Sequence, residues 1–476
     1  MSALGALDSP RPRVAGTIRT STGSDGSRAA ARTPALHRPL ASYALVLAST
    51  GLLLALGLVM VFSASSVRSY AAFGTSYAIA VKQGIFIAIG VPCLWAASRL
   101  PVRVWRALGY PLLLASVVLM VLVLVPGVGR NVDGATRWIP LPGGFNLQPS
   151  EFAKLALTLW GADLLVRKSR LLREWKHLFV PLVPVACLLG LLIMLEPDMG
   201  TTIVVVAVLV ALLWVVGTPL RYFATFLGAV LALGTVLAVA EPYRLKRLTS
   251  FLHPFDDPLH TGYQAVQGIY ALSSGGWLGL GLGASREKWS GGLPNAHTDF
   301  VFAIIGEELG LLGTLTVLLL FGTLVYGGVR IAKRSCDPFA RLAATGVTAW
   351  LAAQALVNIG AVVGMLPITG IPLPLVSFGG SALVPTCVAI GMLLSFARTE
   401  PGAAQALAAR RAGGGGALVR LLPAGLLPAR LLSTGRGRPG PVRPGPTRTA
   451  RSGPAQPGSG RRTAGRRPVA RTSRGR

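Results

Sequence analysis

The chain is dominated by apolar segments that are long enough, or nearly long enough, to cross a lipid bilayer. A membrane-spanning helix needs about 20 predominantly apolar residues, and the mean hydropathy of +0.59 is far above that of a soluble domain. We therefore predict an all-α polytopic membrane protein with about ten transmembrane helices. The segments lie at residues 42–64, 78–98, 108–126, 151–167, 178–195, 201–217, 220–240, 300–329, 342–364 and 382–397.

The positive charge of the chain is concentrated in its two ends. Residues 1–40 hold six Arg against two Asp, and residues 398–476 hold 17 Arg against one Glu, so the tails carry +20 of the formal +29. Because this excess lies outside the apolar body, it does not indicate a nucleic-acid partner. We predict a disordered basic tail at 1–40, a transmembrane body at 41–397 and a disordered Arg/Pro/Gly-rich tail at 398–476.

The loops between the segments predict the topology. With ten helices, nearly all basic loop residues fall on the side of the two tails, as the positive-inside rule requires. Both termini are then cytoplasmic, and the first apolar segment serves as the insertion signal. The loops at 127–150, around Pro197, at 241–299 and at 365–381 face outward. The large extracytoplasmic loop 241–299 lies between the seventh and eighth helices, and its Gly, Pro, Asp and Arg content is typical of a site.

Asp299 lies where this large loop meets the membrane. One interpretation is an N-cap for the eighth helix, because Asp is a preferred capping residue. The other is a general base within reach of an incoming hydroxyl at a partly dry boundary. His297 either orients Asp299, binds phosphate or is a satisfied loop histidine.

Basic residues at both ends of the large loop are candidate ligands for a pyrophosphate at headgroup level. They are Arg244, Lys246, Arg247, Arg286 and Lys288. The alternative is a belt of side chains that snorkel to the headgroups. The positive-inside rule discourages basic clusters on this face, which favours a binding role.

Several charged residues lie within or beside apolar helices, where charge is costly and indicates function or a buried pair. Lys154 and Glu308 are two of them. Glu307 is a third, predicted to support the site indirectly, and the alternative is a simple pair with a Lys or Arg. Glu196 and Asp198 bracket a proline at a turn, where turn chemistry explains them and a site role is open.

Two further sites are predicted only weakly: a metal site in the large loop and an anion site in the last loop. His253, Asp256, Asp257 and His260 predict a proline-flanked turn first. The alternative is a weak Mg²⁺ or Mn²⁺ site shared with a substrate pyrophosphate. The four cysteines are scattered singly, and no protein metal cage is predicted. The hydroxyl groups of Ser377 and Ser381 are candidate donors to an anion, or they satisfy backbone groups in a re-entrant turn.

Several ordered motifs together resemble the SEDS family of polytopic peptidoglycan glycosyltransferases, whose name stands for shape, elongation, division and sporulation. The likeness covers approximately residues 42–397 and neither tail. The motifs are Gly134–Trp138, Gln148–Lys154, Glu196–Thr201, Gly262–Gln264, Pro294–Phe300, Gly306–Gly310 and Asn358–Ser381. The segment Gly283–Trp289 looks more like the division branch of the family than the elongation branch. Asn295 stands where the family usually has Glu, so no carboxylate role is carried over there.

The resemblance implies polymerisation of lipid II into β-1,4-linked glycan on the outer face, with undecaprenyl pyrophosphate as the leaving group. Asp299 matches the essential acidic residue of the family and is the predicted catalytic base. Arg137 and Lys154, which lie in matching motifs, are predicted to contact substrate, together with the basic residues, histidine and serines named above.

The resemblance also implies partners and a location. It implies a class B penicillin-binding protein, a transpeptidase, together with other divisome proteins, at the division septum of the cell membrane. Three alternatives remain open at this stage: a lipid II flippase or other transporter, a scaffold without activity, and a polymerase of the elongation branch.

Overall fold

The computed structural model describes residues 40–132, 135–142, 145–169, 180–225, 228, 232, 251–260, 262–289, 291–403 and 405. Nine of the ten predicted segments correspond to helices in this part of the chain. Six helices are long and apolar enough to span a membrane, and two more are apolar but shorter. The chain is therefore a multi-pass membrane protein. The segment 220–240 lies mostly outside the described residues, so the count of ten stays a prediction.

The helices are labelled in chain order. They are α1 (Ala41–Phe73), α2 (Ala78–Arg99), α3 (Val102–Leu124), α4 (Pro149–Arg167), α5 (Leu182–Leu195), α6 (Met199–Val215), α7 (Tyr263–Ser274), α8 (Val301–Arg334), α9 (Pro338–Val362) and α10 (Gly380–Ala397).

Local chemistry fixes several helix ends. Asp337 precedes α9, and its carboxylate accepts hydrogen bonds from the backbone N–H groups of Phe339 at 2.8 Å and Ala340 at 3.2 Å. Asp198 caps α6 in the same way by accepting from the backbone N–H of Thr201 at 3.1 Å. These contacts satisfy N–H groups that have no partner within the helix.

Polar contacts define one end of the helical body, which we call the basic end. Arg330 near the end of α8 donates to Ser42 at the start of α1 at 2.9 Å. Arg334 pairs with Glu400 at 3.0 Å, and Arg398 donates to the carbonyl of Ser98 at 3.0 Å. The opposite end, which we call the loop end, carries the described parts of the loops that were predicted to face outward.

The loop between α3 and α4 contains a small antiparallel sheet, which corrects the purely α-helical prediction. Its strands are β1 (Arg130–Val132), β2 (Ala135–Leu141) and β3 (Phe145–Leu147), in the order β1-β2-β3. Strands this short carry no clear hydropathic period, so the sequence does not reveal them. The rings of Phe145 and Phe86 meet edge to face at 5.2 Å, which joins the sheet to α2.

The predicted loop 241–299 contains the 12-residue helix α7, which packs on α8. Gly268 of α7 faces the ring of Phe300, and a Cβ at this position would lie tightly, 3.1 Å from the ring. The helix α8 itself is interrupted at Gly310, which has φ 67° and ψ −163°. A side chain at this glycine would overlap the backbone of Trp277 and Gly279, so the chain from α7 reaches the interruption directly.

Helix α4 lies at the centre of the described body. Of its 19 residues nearly all are buried, including Glu151, Lys154 and Asp163. Asp163 accepts hydrogen bonds from Arg106 at 2.5 Å and from Arg167 at 2.6 Å. Leucines on α1, α3 and α8 are instead exposed, as expected where helices face lipid.

Candidate active site

Asp299 is a half-buried residue at the loop end, two positions before α8 begins. It borders a small cavity, and its Oδ2 faces Gly370 in the loop between α9 and α10. The N-cap of α8 is Phe300, with no side-chain cap, so the capping interpretation of Asp299 is not supported. The cavity is lined by Asp299, Phe300, Asn358, Ala361, Val362, Ile368, Thr369, Gly370 and Ile371.

Three charged residues accompany Asp299, and we call these four residues the Asp299 cluster: Arg137, Glu196, Asp198 and Asp299. Arg137 extends from β2 and donates to the carbonyl oxygens of Glu196, at 3.1 Å, and of Pro197. Asp198 also accepts from the Thr201 hydroxyl at 2.8 Å. The turn between α5 and α6 therefore contributes to the site, as the sequence left open.

Two acids of the Asp299 cluster, Asp299 and Glu196, are hard to ionise because they are withdrawn from water. Burial raises the pKa of Asp299 to about 6; Arg137 opposes this shift, and Asp198 adds to it. Burial also raises the pKa of Glu196 to about 8, with a further contribution from Asp198. Neither carboxylate oxygen of Glu196 has a hydrogen-bond partner within the described residues. At neutral pH Asp299 is mostly ionised and Glu196 mostly neutral.

Helix α9 holds the backbone on both sides of the cavity. The amide nitrogen of Asn358 donates to the carbonyl oxygens of Asp299 and Ile371, both at 2.8 Å. One turn earlier, Gln354 donates to the carbonyl of Pro372 at 3.1 Å. These two side chains tie the loop between α9 and α10 to the segment that carries Asp299.

Lys154 contacts Gln354 and so supports the side chain that holds the loop between α9 and α10. Its ammonium group lies 2.7 Å from Oε1 of Glu151 and 3.0 Å from the side-chain amide oxygen of Gln354, over the ring of Trp350. The group is buried and fully engaged with protein partners. The structure therefore places Lys154 behind the loop that faces Asp299, with no exposed surface for a substrate.

His297 lies close to Asp299 in sequence and is buried. Burial lowers its pKa to about 4, with a contribution from the positive charge of Arg68. Its ring lies 5.7 Å from that of Phe378, and its carbonyl accepts from the backbone of Phe378 at 2.9 Å. His297 is therefore neutral at pH 7, and its backbone joins two loops, while the role of its imidazole ring stays a prediction.

Two further acids, Glu307 and Glu308, lie together with their hydrogen-bond partners. We call this group the Lys288 cluster: Ser63, Ser285, Lys288, Glu307 and Glu308. Glu308 accepts from the hydroxyl of Ser63 at 2.6 Å and from Lys288 at 3.2 Å. Glu307 accepts from the hydroxyl of Ser285 and the backbone N–H of Arg286, both at 2.6 Å. The cation therefore contacts Glu308, whereas Glu307 is held by a hydroxyl group and a backbone N–H group, not by the Lys or Arg side chain of the alternative interpretation.

The ammonium group of Lys288 also reaches the carbonyl of Gly283 at 2.5 Å and the hydroxyl of Ser63 at 3.5 Å. An ammonium group has three donors, and these contacts use all of them. Only 4% of the Lys288 side chain is exposed.

The remaining predicted ligands are distributed unevenly. The hydroxyl oxygen of Ser377 accepts from the backbone N–H of Leu373 at 2.9 Å, as expected for a re-entrant turn. Ser381 lies half-buried in the first turn of α10. Arg244 and Arg247 lie outside the described residues.

The candidate metal ligands in the 251–260 region do not converge on a point. Asp257 and His260 lie 2.9 Å apart and are exposed or half-buried. Where the structure describes the chain, there is no group of three or more His, Cys, Asp and Glu that is suited to hold a metal ion. The interpretation of a cation shared with substrate stays a prediction.

Sequence reasoning missed several residues that shape the site. Asn358 and Gln354 lie four residues apart on α9, and this spacing of buried amides was the available signal. Ser63 and Ser285 carried no signal, because their partners are distant in sequence.

Comparison with known proteins identifies related chains. The family model of the FtsW/RodA/SpoVE proteins, described as cell cycle proteins, matches residues 43–401. The probable peptidoglycan glycosyltransferase FtsW of Mycobacterium tuberculosis is 44% identical over 387 residues, which cover 81% of this chain and 73% of that protein. The stage V sporulation protein E of Bacillus subtilis is 41% identical, covering 73% of this chain and 95% of the other.

Solved structures show the same fold. A chain of a peptidoglycan synthase complex, studied for the coordination of polymerization and crosslinking, superposes with a TM-score of 0.63 at 30% identity. The match covers 75% of this chain and 97% of that chain. The rod shape determining protein RodA of Thermus thermophilus has a TM-score of 0.56 at 27% identity, covering 75% and 96% of the two chains.

Proposed function

The chain belongs to the FtsW/RodA/SpoVE family of cell cycle proteins and is a peptidoglycan glycosyltransferase; from this premise we propose that it polymerises lipid II with Asp299 as general base. The carboxylate of Asp299 takes the proton from the 4-hydroxyl of the acceptor GlcNAc. The resulting oxygen nucleophile attacks the anomeric carbon of the lipid-linked donor, and the bond to undecaprenyl pyrophosphate breaks.

The environment of Asp299 carries this proposal. Its carboxylate borders a cavity, and burial raises its pKa to about 6. A base works best when its pKa lies near the working pH, because it is then mostly ionised yet still binds a proton readily. Asn358 donates a hydrogen bond to the backbone carbonyl of Asp299. This bond holds the segment that carries the carboxylate and so helps to position the base.

The basic residues predicted to bind substrate fall into two groups with different proposed roles. Arg137 lies in the Asp299 cluster and is proposed to offset charge on the departing pyrophosphate, together with Arg244 and Arg247. Lys288 is committed to Glu308, so we now assign it to support of the loop instead of substrate binding.

We propose that the loop end faces the extracytoplasmic side and that both termini are cytoplasmic. The contacts of Arg330, Arg334 and Arg398 at the basic end support this orientation, because basic residues concentrate on the cytoplasmic side. We further propose that the protein acts at the division septum, since FtsW proteins are among its similar relatives.

We also propose a class B penicillin-binding protein as partner, docked on α8, α9 and the large loop. The support is the similar chain from a complex that coordinates polymerization with crosslinking. Surface substitutions on these elements should then reduce co-purification and coupling without unfolding. Unchanged co-purification and unchanged activity would refute this docking site.

The test of the activity uses the purified full chain, labelled lipid II and no added polymerase. Glycan product is expected. A flippase or a scaffold would form none. The buried charges Lys154 and Asp163 are paired with protein groups, which fits structural roles better than a transport path.

A further inference from the structure

The segment 275–289 replaces the hydrogen bonds that the interruption of α8 removes. The N–H groups of Leu311 and Leu312 donate to the carbonyls of Gly276, at 2.9 Å, and Trp277, at 3.3 Å. In the opposite direction, the N–H groups of Leu280 and Gly281 donate to the carbonyls of Glu307, at 2.9 Å, and Glu308, at 3.0 Å. The segment is therefore bound to α8 through its backbone on both sides of Gly310.

The position of this contact along α8 gives its depth. Arg330 marks the basic end, and the 20 residues from Leu311 to Arg330 span about 30 Å of helix, which is the thickness of the hydrocarbon core. The interruption at Gly310 thus falls at the outer boundary of the hydrocarbon. Satisfied backbone groups are required at such a depth, because each unpaired group is costly away from water.

The apolar side chains of the segment do not turn inward at this depth, in contrast to those of Ser285 and Lys288. Trp277 is 73% exposed and Leu278 is 77% exposed, and Leu282 and Trp289 are also exposed. Next to them on α8, Leu312 and Leu315 are exposed as well. Exposed apolar residues therefore lie on both the spanning helix and the segment, which meet where the Leu312 N–H donates to the Trp277 carbonyl.

The segment also has the composition of a membrane interface. Tryptophan is enriched at the headgroup level, and arginine is suited to contact phosphates there. Arg286 is exposed between the apolar residues, whereas the other cation of the segment, Lys288, is buried against Glu308. An apolar rim with one free guanidinium matches a lipid surface better than it matches bulk water.

We propose that the segment 275–289 is an interfacial anchor that inserts Trp277, Leu278 and Leu282 into the outer leaflet, with Arg286 at the phosphate level. The anchor fixes the large loop against the bilayer from which a lipid-linked molecule must approach. This inference rests on the interruption of α8 and on exposure, and it is independent of the chemistry assigned to Asp299.

The alternative occupant is a protein. An exposed apolar patch of this kind also fits a partner chain. Continuity with the exposed leucines of α8 favours lipid, and the transpeptidase proposed above would have to cover both these leucines and the segment to take its place. The two occupants are distinguished by whether the segment is shielded from water in the absence of a partner, as lipid contact predicts, or only in its presence.

The experiment measures the depth of single nitroxide labels in the full chain. The four native cysteines are replaced by alanine or serine, and labels are attached in the variants Leu278→Cys, Leu282→Cys and Leu259→Cys. Leu259 is the matched control, because it is a leucine of the same loop with 78% exposure, beside the exposed Asp257–His260 pair. The protein is reconstituted in nanodiscs of phosphatidylcholine and phosphatidylglycerol, without any partner.

Labels at Leu278 and Leu282 are expected to collide with dissolved oxygen more than with a water-soluble nickel chelate, and the label at Leu259 is expected to show the reverse. Equal accessibility to the nickel chelate at Leu278, Leu282 and Leu259 would overturn the proposal. Protection of Leu278 only after addition of a transpeptidase would also overturn it, in favour of a protein surface. Protection at Leu259 as well would contradict the confinement of lipid contact to the segment.

Discussion

Two acidic clusters lie at the loop end, and they differ in how their carboxylates are satisfied. In the Lys288 cluster, Glu307 and Glu308 receive hydrogen bonds from hydroxyl groups, backbone N–H groups and an ammonium group. In the Asp299 cluster, the side chain of Asp299 borders a cavity, and Glu196 has two buried oxygens with no partner among the described residues.

The difference indicates that the Lys288 cluster stabilises the fold, whereas the Asp299 cluster is suited to a reaction. A carboxylate that accepts short hydrogen bonds from protein groups stabilises the fold, and these bonds make it a weaker base towards a substrate proton. A carboxylate that is partly desolvated and unsaturated costs folding free energy, and it persists where a reaction uses it. The contrast predicts that substitutions in the two clusters damage different properties of the protein.

The largest effect is expected at the base itself. Asp299→Asn keeps the shape of the side chain but cannot accept the proton, so the polymerisation rate should fall by roughly 10² to 10⁴-fold. Its melting temperature should stay at or above that of wild type, because a buried charge is removed. Asp256→Asn, an exposed residue of the same loop, is the control and should retain full activity. A folded Asp299→Asn protein with wild-type turnover would refute the assignment.

The next effect concerns stability in the Lys288 cluster. Glu308→Gln leaves the buried ammonium of Lys288 without its counter-ion, and such losses cost about 3 to 5 kcal/mol. We expect a clearly lower melting temperature in detergent. The double variant with Lys288→Met should recover part of the loss, whereas a double variant as unstable as the single one would show that the pair is not the cause.

Asn358→Ala tests how the two loops are held around Asp299. The variant loses both 2.8 Å hydrogen bonds, so small displacements of the carboxylate should lower kcat by about tenfold with KM nearly unchanged. The pH at which activity rises should also move, which a simple loss of folded protein would not cause. An unchanged kcat would remove Asn358 from the positioning role.

The smallest effect is expected for Glu196→Gln. The folded state holds the pKa of Glu196 at about 8 against an ordinary value of 4.5, so folding retains a proton and wild-type stability falls as pH rises between these values. The variant is neutral at every pH. It should melt close to wild type at pH 4, below the ordinary pKa, and above wild type at pH 9, and equal shifts at both values would argue against a neutral Glu196.

The sequence predicted the helices well because the bilayer imposes a strong local signal. Apolar runs of about 20 residues identify spans without any knowledge of contacts. The strands β1 to β3 and the helix α7 were not predicted, since short elements in polar loops depend on packing against the body. The interruption at Gly310 was also hidden, because a lone glycine inside an apolar helix is usually tolerated.

The site was predictable where a single residue is unusual for its position in the sequence. Asp299 and the turn around Asp198 stood out as acids beside apolar helices. The pairing of Lys288 with Glu308 instead of Glu307 was not accessible, because adjacent residues point in different directions and only the folded loop decides between them. The same holds for Asn358, whose two partners lie 59 and 13 residues away.

The most direct test of the central claim is the pH dependence of lipid II polymerisation by the purified protein. Wild-type turnover is expected to rise through about pH 6, as Asp299 loses its proton, and to level off above it. The residual turnover of Asp299→Asn should lack this rise. A variant that retains the same rise, or a wild-type rate that is flat from pH 5 to 8, would contradict the account.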